Sequence, residues 1–152
     1  MRSFCFLLFY LCALFSSAQT NKLIDSLEKI ERYQSDTNLV KTYNELTWQY
    51  RNVDQNKAIA YANKAILLSL RYNYEQGLAQ AYNDLGIIFY DKQNFDTAID
   101  LYNKAFEIRQ RNNDATGMAK LYNKIGVVYQ KQGNFDKALE NQHSFPIRDT
   151  VQ

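Results

Sequence analysis

The stretch YNDLGIIFYDKQNFDTAIDLYNKA, from Tyr82 to Ala105, returns forty residues later as YNKIGVVYQKQGNFDKALENQHSF, from Tyr122 to Phe145. Gly77 and Gly117, Gly86 and Gly126, Phe95 and Phe135, and Ala98 and Ala138 are each 40 positions apart. A looser copy comes first: YNELTWQY begins at Tyr43, 39 positions before Tyr82, and Ala58 and Ala65 stand 40 before Ala98 and Ala105. The one-residue slip falls in RNVDQN, shorter than its counterpart YDKQNF, where a turn can lose a residue without harming a helix. A period of this length restricts the chain to architectures in which one supersecondary unit stacks on copies of itself.

Within each copy the apolar spacing is helical. Tyr82, Leu85, Gly86 and Phe89 follow i, i+3, i+4, i+7, and Ala98, Leu101, Tyr102 and Ala105 repeat that pattern after the turn. Asn94 and Asn134 stand where helix N-caps belong, with Asp96 and Asp136 in the first turn, where the helix dipole favours them. Each unit therefore reads as two antiparallel helices joined by a tight turn. Gly86 and Ala98 fall where the paired helices cross, and Tyr82, Phe89 and Tyr102 fill the space around that contact. A glycine inside a helix costs about 1 kcal/mol relative to alanine, so its return at Gly126 points to packing that offsets the cost. Only 5 Gly and 1 Pro occur in 152 residues, against 12 Tyr and 9 Phe. Few breakers and many long side chains give one modest, all-α domain.

These residues resemble the signature of the tetratricopeptide repeat family, in which a large aromatic is followed by Leu-Gly, an aromatic, Ala, an aromatic and Ala. Tyr82, Leu85, Gly86, Phe89, Ala98, Tyr102 and Ala105 match it position by position. Tyr122, Ile125, Gly126, Tyr129 and Ala138 match until the last copy breaks. Tyr43, Leu46, Tyr50, Ala58 and Ala65 match as well, with Thr47 in place of the Gly and Ala62 in place of the aromatic. The resemblance covers about residues 40–142. It implies an α-solenoid of antiparallel helix pairs, about three repeats with the last incomplete, over residues 39–78, 79–118 and 119–142. The family's usual repeat has about 34 residues and ends in a Pro, which Gln110 replaces here. The 40-residue period is similar to the longer-helix variant known from exported bacterial sensory and signalling proteins. In such proteins it often precedes a transmembrane segment and a histidine kinase or cyclase.

Residues 21–33, NKLIDSLEKIERY, place Leu23, Ile24, Leu27 and Ile30 on one stripe. An N-terminal capping helix with its linker, residues 19–38, is expected to cover the apolar end of the first repeat. Before it, Met1 and Arg2 lead into SFCFLLFYLCALF and then SSAQ. A basic start, an apolar core too short for the ~20 residues of a bilayer span, and a small-x-small exit make residues 1–18 a secretory signal peptide. Cleavage is expected after Ala18, with Ser16 and Ala18 as the small residues, leaving Gln19 first. The mature chain would be exported, periplasmic or secreted. A membrane enters only through a retained signal segment or a missing downstream region. Both cysteines, Cys5 and Cys12, lie in this segment, so the mature chain has no thiol, disulfide or cysteine metal site. Leu11 before Cys12 is larger than the residue a lipid-attachment site favours. Losing Arg2 and no acid takes the formal charge from +2 to +1. That charge, with no Lys/Arg run, gives no basis for nucleic-acid binding.

No catalytic constellation stands out, and no enzyme, cofactor or metal is expected. The sole histidine, His143, lies in the broken tail, which leaves no Cys-His pair and no support for a Ser-His-Asp triad. The glycines form no phosphate-cradling loop. Glu28, Glu31, Asp96 and Asp100 sit at ordinary surface spacing and read as a solvated face.

A second stripe runs beside the packing stripe on each first helix. It comprises Lys41, Asn44, Trp48, Arg51 and Asn52 in the first copy, and Gln80, Asn83, Ile87, Tyr90 and Asp91 in the next. The third copy supplies Lys120, Asn123, Val127, Gln130 and Lys131. The family resemblance implies that these positions line a concave groove for peptides. An Asn amide can both donate to and accept from a peptide backbone. The alternative is that the Asn side chains bridge neighbouring helices and that Trp48 packs internally. Lys41, Arg51, Lys120 and Lys131 outnumber Asp91, which suggests a mildly acidic or carboxylate-bearing peptide or protein ligand. The family's best-known carboxylate-holding arrangement is not reproduced. A recurring NKA, at Asn63–Ala65 and Asn103–Ala105, is expected on the convex, solvated side.

The expected function is thus an exported, non-catalytic protein- or peptide-binding module. The alternative is the N-terminal periplasmic sensory part of a truncated membrane-bound signalling protein of histidine kinase or cyclase type. At the places of Tyr102 and Ala105 the last copy has Gln142 and Phe145, and Pro146 would stop the helix. Residues 143–152 are therefore expected to form an irregular tail, as in a truncated or frameshifted reading of a longer protein.

Overall fold

The computed structural model describes residues 19–144, and expectations placed on residues 1–18 and 145–152 lie outside the described residues. Helix α1 spans residues 19–31. It is followed by α2 (Asp36–Tyr50), α3 (Gln55–Arg71), α4 (Glu75–Asp91), α5 (Phe95–Arg111), α6 (Ala115–Lys131) and α7 (Phe135–Ser144). No strand occurs among the described residues. Each helix packs on the next, and α2 also reaches α4, which is the stacking of an α-solenoid.

The turns explain the period. Asn73, Gln93, Asn113 and Gly133 each adopt a left-handed backbone, with φ of 50°, 59°, 55° and 73°. They recur every twenty residues. The next N–H then reaches back five residues: Tyr74 to Ser69 O at 2.8 Å, and Asn94, Asp114 and Asn134 to Phe89, Arg109 and Tyr129 O at 2.9 Å. This closure satisfies carbonyls that a helix end would otherwise leave bare. Seventeen-residue helices joined by this turn give a 40-residue unit. The α2–α3 turn lacks it: Asp54 N–H bonds Tyr50 O, four residues back, at 2.8 Å. The slip of one residue lies there.

Side-chain caps start the following helices. Asp54 accepts from the N–H of Asn56 and Lys57, Asn94 from Thr97, Asp114 from Gly117 and Asn134 from Lys137. Helix α4 has no side-chain cap at Tyr74. Instead the Tyr74 ring folds over Gly77, where a Cβ would lie 2.5 Å from Tyr74 Cδ1.

Every residue assigned to repeat packing is buried or half-buried. A Cβ on Gly86 would meet the Tyr102 ring at 2.6 Å, so the close approach of α4 and α5 is real. In the first copy the equivalent positions hold Thr47 and Ala62, both buried, so a larger first residue goes with a smaller second one. The Thr47 hydroxyl donates to Tyr43 O at 2.8 Å, which satisfies a polar group placed inside. The helices start about a turn earlier than their expected unit boundaries. Residues 39, 79 and 119 fall inside α2, α4 and α6, which begin at Asp36, Glu75 and Ala115 directly after the preceding turns. The tail expectation is corrected in the same sense, since α7 continues through His143 to Ser144.

Helix α1 caps the array through a narrower stripe than its sequence suggests. Ile24 is buried and Leu27 packs beside it against Leu46, Tyr50 and Ala58, but Leu23 and Ile30 are exposed. Polar anchors replace them. Tyr50 Oη donates to Glu28 Oε1 at 2.6 Å and Tyr61 Oη to the same oxygen at 3.2 Å. Lys64 pairs with Glu31 at 3.0 Å. Glu28 and Glu31 are therefore not a solvated face. The lysines of the two NKA motifs are exposed as expected, yet each covers a ring: Lys64 lies over Tyr43 and Tyr61, and Lys104 over Tyr82.

Candidate functional site

A cleft of about 700 Å³ opens between α2, α4 and α6. Helix α2 supplies Lys41, Asn44, Glu45 and Trp48, and α4 supplies Gln80, Asn83, Asp84 and Ile87. Arg109 at the end of α5, Asp114 in the turn, and Thr116, Lys120, Leu121 and Lys124 on α6 close the far wall. Seven of the residues expected in a groove line this cleft: Lys41, Asn44, Trp48, Gln80, Asn83, Ile87 and Lys120.

The others lie elsewhere. Arg51 stacks on the Trp48 ring with its Cζ 4.3 Å from the centroid, and its Nε stands 3.8 Å from Asp91. Tyr90 is half-buried against Phe95, ring centroids 5.8 Å apart. Asn123, Val127 and Lys131 are exposed on α6 and do not line the cleft. The wall that α6 presents is one helical position over, at Lys120, Leu121 and Lys124. Glu45, Asp84 and Lys124 were absent from the expected stripe. They are equivalent positions in the three copies, four residues after Lys41, Gln80 and Lys120, so an i+4 step in place of i+3 finds them.

Two of the three recurring asparagines join helices. Asn44 Nδ2 donates to Gly77 O at 3.1 Å, linking α2 to the start of α4, and its Oδ1 is buried without a partner. Asn83 Nδ2 donates to Asp84 Oδ1 at 2.9 Å while its Oδ1 accepts from Lys124 Nζ, which ties α4 to α6. Trp48, by contrast, is 46% exposed on the cleft wall and is not an internal packing residue.

Asp84 sits on the cleft floor with 4% of its surface exposed. Gln80 Nε2 donates to both of its oxygens at 2.9 Å, adding to the Asn83 bond. Burial pushes its carboxyl up, and the Gln80 and Asn83 hydrogen bonds and the nearby Lys124 and Arg51 charges only partly oppose that. Desolvation likewise pushes the Lys124 ammonium down, against the pull of Asp84. Asp114 behaves oppositely: the Gly117 N–H and the Arg109 guanidinium hold its carboxyl below the usual range.

Four cations, Lys41, Arg109, Lys120 and Lys124, face three acids, Glu45, Asp84 and Asp114, a surplus of one positive charge. The surplus of three expected from the stripe is smaller here because Arg109 and Lys124 take the place of Arg51 and Lys131, while three acids, Glu45, Asp84 and Asp114, stand where the stripe had only Asp91. Arg109 is paired with Asp114, and Asp84 is held by amides beneath the surface. The charges most open to a ligand are therefore Lys41 and Lys120, with Glu45 beside them. Among the described residues no group of His, Cys, Asp and Glu could hold a metal ion, and no helix is long and apolar enough to cross a membrane.

The sequence profile of the tetratricopeptide repeat matches residues 50–111 and again 77–143. No curated protein matches the chain. Solved structures do, in 26 chains. One is BtubC (BKLC) from P. vanneervenii, 23% identical with a TM-score of 0.72, the match covering 82% of this chain and 54% of that one. This chain thus spans about half the length of BtubC, and the likeness is one of fold. MamA matches at 20% identity and a TM-score of 0.36, over 83% of this chain and 86% of its own.

Proposed function

We propose that this chain, which belongs to the tetratricopeptide repeat family, is an exported, non-catalytic module that holds a peptide or protein segment in the cleft between α2, α4 and α6. The family is one of protein-interaction scaffolds. The observation that carries the reading is Trp48: a large aromatic left 46% exposed, on the wall of a cleft of ligand size, close to open lysines. Trp48 and Ile87 offer apolar contact area, while Lys41 and Lys120 favour a segment that carries an acidic side chain or a terminal carboxylate. Asn44 and Asn83 serve by fixing the spacing of the helices rather than by gripping the ligand backbone. Export rests on the basic start, apolar core and small-residue exit of residues 1–18.

Selection of random peptides displayed on phage against the mature chain tests this reading. Enrichment of sequences that pair an apolar residue with an acidic one is expected, and it should be lost in the Trp48→Ala, Lys120→Ala double variant. No enrichment, or equal enrichment on the double variant, would overturn it.

A further inference from the structure

We propose that Asp84 is a built-in counter-ion of Lys124, and that proton uptake by Asp84 frees Lys124 to hold an anionic group, so that ligand affinity rises on acidification. The inference rests on the cleft being the ligand site and names how that site is regulated.

The geometry is a relay across two helices. The Asp84 carboxylate accepts from Gln80 and Asn83, each at 2.9 Å, and the Asn83 oxygen accepts from Lys124 Nζ. One amide therefore joins a buried anion to a cation that lines the cleft. Its carbonyl end faces the ammonium and its N–H end faces the carboxylate, so it is polarised in the sense that stabilises both. A buried charge is costly even when paired. Of the three equivalent positions, Glu45 is exposed and Lys124 half-exposed, whereas Asp84 alone is fully covered. Helix α4 is the middle of three first helices, which explains why its acid is the buried one.

The surrounding charges leave Asp84 as the group poised to change. Helix α2 brings Arg51, already between Trp48 and Asp91, and the cleft residues Lys41 and Glu45. Helix α5 brings Arg109, paired with Asp114, and the Tyr102 phenol, whose ionisation burial pushes up. Helix α6 brings Lys120 and Lys124, and α3 lines none of the cleft. Burial favours the neutral form of Asp84, so it takes up a proton at a less acidic pH than an ordinary carboxyl would. Asp114 is held in its charged form over that range. Protonation then raises the cationic surplus of the lining from one charge to two.

The test uses sulfate, the anion of a strong acid, which stays doubly charged through the whole range in which carboxyl groups titrate, and follows Trp48, the single tryptophan. Saturable binding is expected that tightens roughly fivefold or more on acidification, the effect of removing one nearby negative charge. Asp84→Asn should bind already tightly at neutral pH and lose most of the pH response. Lys124→Met should bind weakly at both pH values, and it carries the test if Asp84→Asn fails to fold. A wild-type protein without a saturable sulfate site, an unchanged pH response in Asp84→Asn, or unchanged binding in Lys124→Met would each overturn the inference. If sulfate behaves as expected but no peptide is selected by phage display, the peptide reading falls and the proton switch stands.

Discussion

Tyr102 lays its ring where a side chain on Gly86 would have to stand: a Cβ built there falls 2.6 Å from Tyr102 Cε1. Gly126, forty residues on in the same motif, meets nothing closer than Asn141 Nδ2 at 3.5 Å. The two glycines should therefore answer the same substitution with opposite signs. Gly86→Ala gains helix propensity but overpacks against a buried ring, for a net loss of about 1–2 kcal/mol. Gly126→Ala keeps the propensity gain and should be neutral or stabilising by up to about 1 kcal/mol. Urea denaturation of both variants decides this, and equal destabilisation would contradict the packing described for α4 and α5.

The hold of α1 on the array should weaken in acid. The Tyr50 hydroxyl, chiefly, keeps the Glu28 carboxyl below its ordinary value, with Tyr61, Lys57 and Lys64 adding to the effect against some desolvation. A depressed folded pKa gives stability that is present above the unfolded value, 4.5, and is lost as pH falls through the folded one. Amide protection in residues 19–31, taken relative to the intrinsic exchange rate, should fall below that pH, and Tyr50→Phe should reduce the pH dependence. Protection in α1 that ignores pH would mean that Ile24 and Leu27 hold the cap unaided.

Asp84 predicts the reverse slope. Its carboxyl is pushed up by burial, so its contribution is most favourable at low pH and is lost as pH rises through the folded pKa. Asp84→Asn should accordingly melt higher than wild type at neutral pH, with the gap closing on acidification. A lower melting temperature at neutral pH would mean that attraction to Lys124 and Arg51 outweighs the cost of burial.

Removing a cap separates a simple helix start from a shared one. Asp54→Ala frees the N–H groups of Asn56 and Lys57 and should cost about 1 kcal/mol. Asp114→Ala should cost more, because it also releases Arg109 and leaves Gly117 N–H bare. Thermal unfolding of the two variants ranks them, and the opposite ranking would count against the Arg109–Asp114 clasp.

Much of this was legible before any coordinates. Gly86, Ala98 and Tyr102 announce a helix crossing because only close approach explains their spacing, and Asn94 and Asn134 announce helix starts because their side chains can cap. The cleft was read less accurately for a geometric reason. On a helix, i+3 and i+4 neighbours diverge in direction, and which one faces the cavity depends on how α2, α4 and α6 are rotated against one another. Leaving Asp84 out beside Asn83, and taking Asn123 in place of Lys124, are of this kind. Glu28 and Glu31 look like surface acids until α1 is docked, because their partners Tyr50, Tyr61 and Lys64 lie more than twenty residues away. Trp48 could not be placed by periodicity, since an aromatic on a first helix suits packing and binding equally.

Hydrogen exchange of the mature chain, with and without the peptide most enriched by phage selection, tests the central claim most directly. Slower exchange is expected in the parts of α2, α4 and α6 that carry Lys41–Trp48, Gln80–Ile87 and Lys120–Lys124, with α3 and the part of α5 before Arg109 unchanged. Protection confined to α3, α5 and the convex lysines Lys64 and Lys104 would contradict it and place binding on the opposite face.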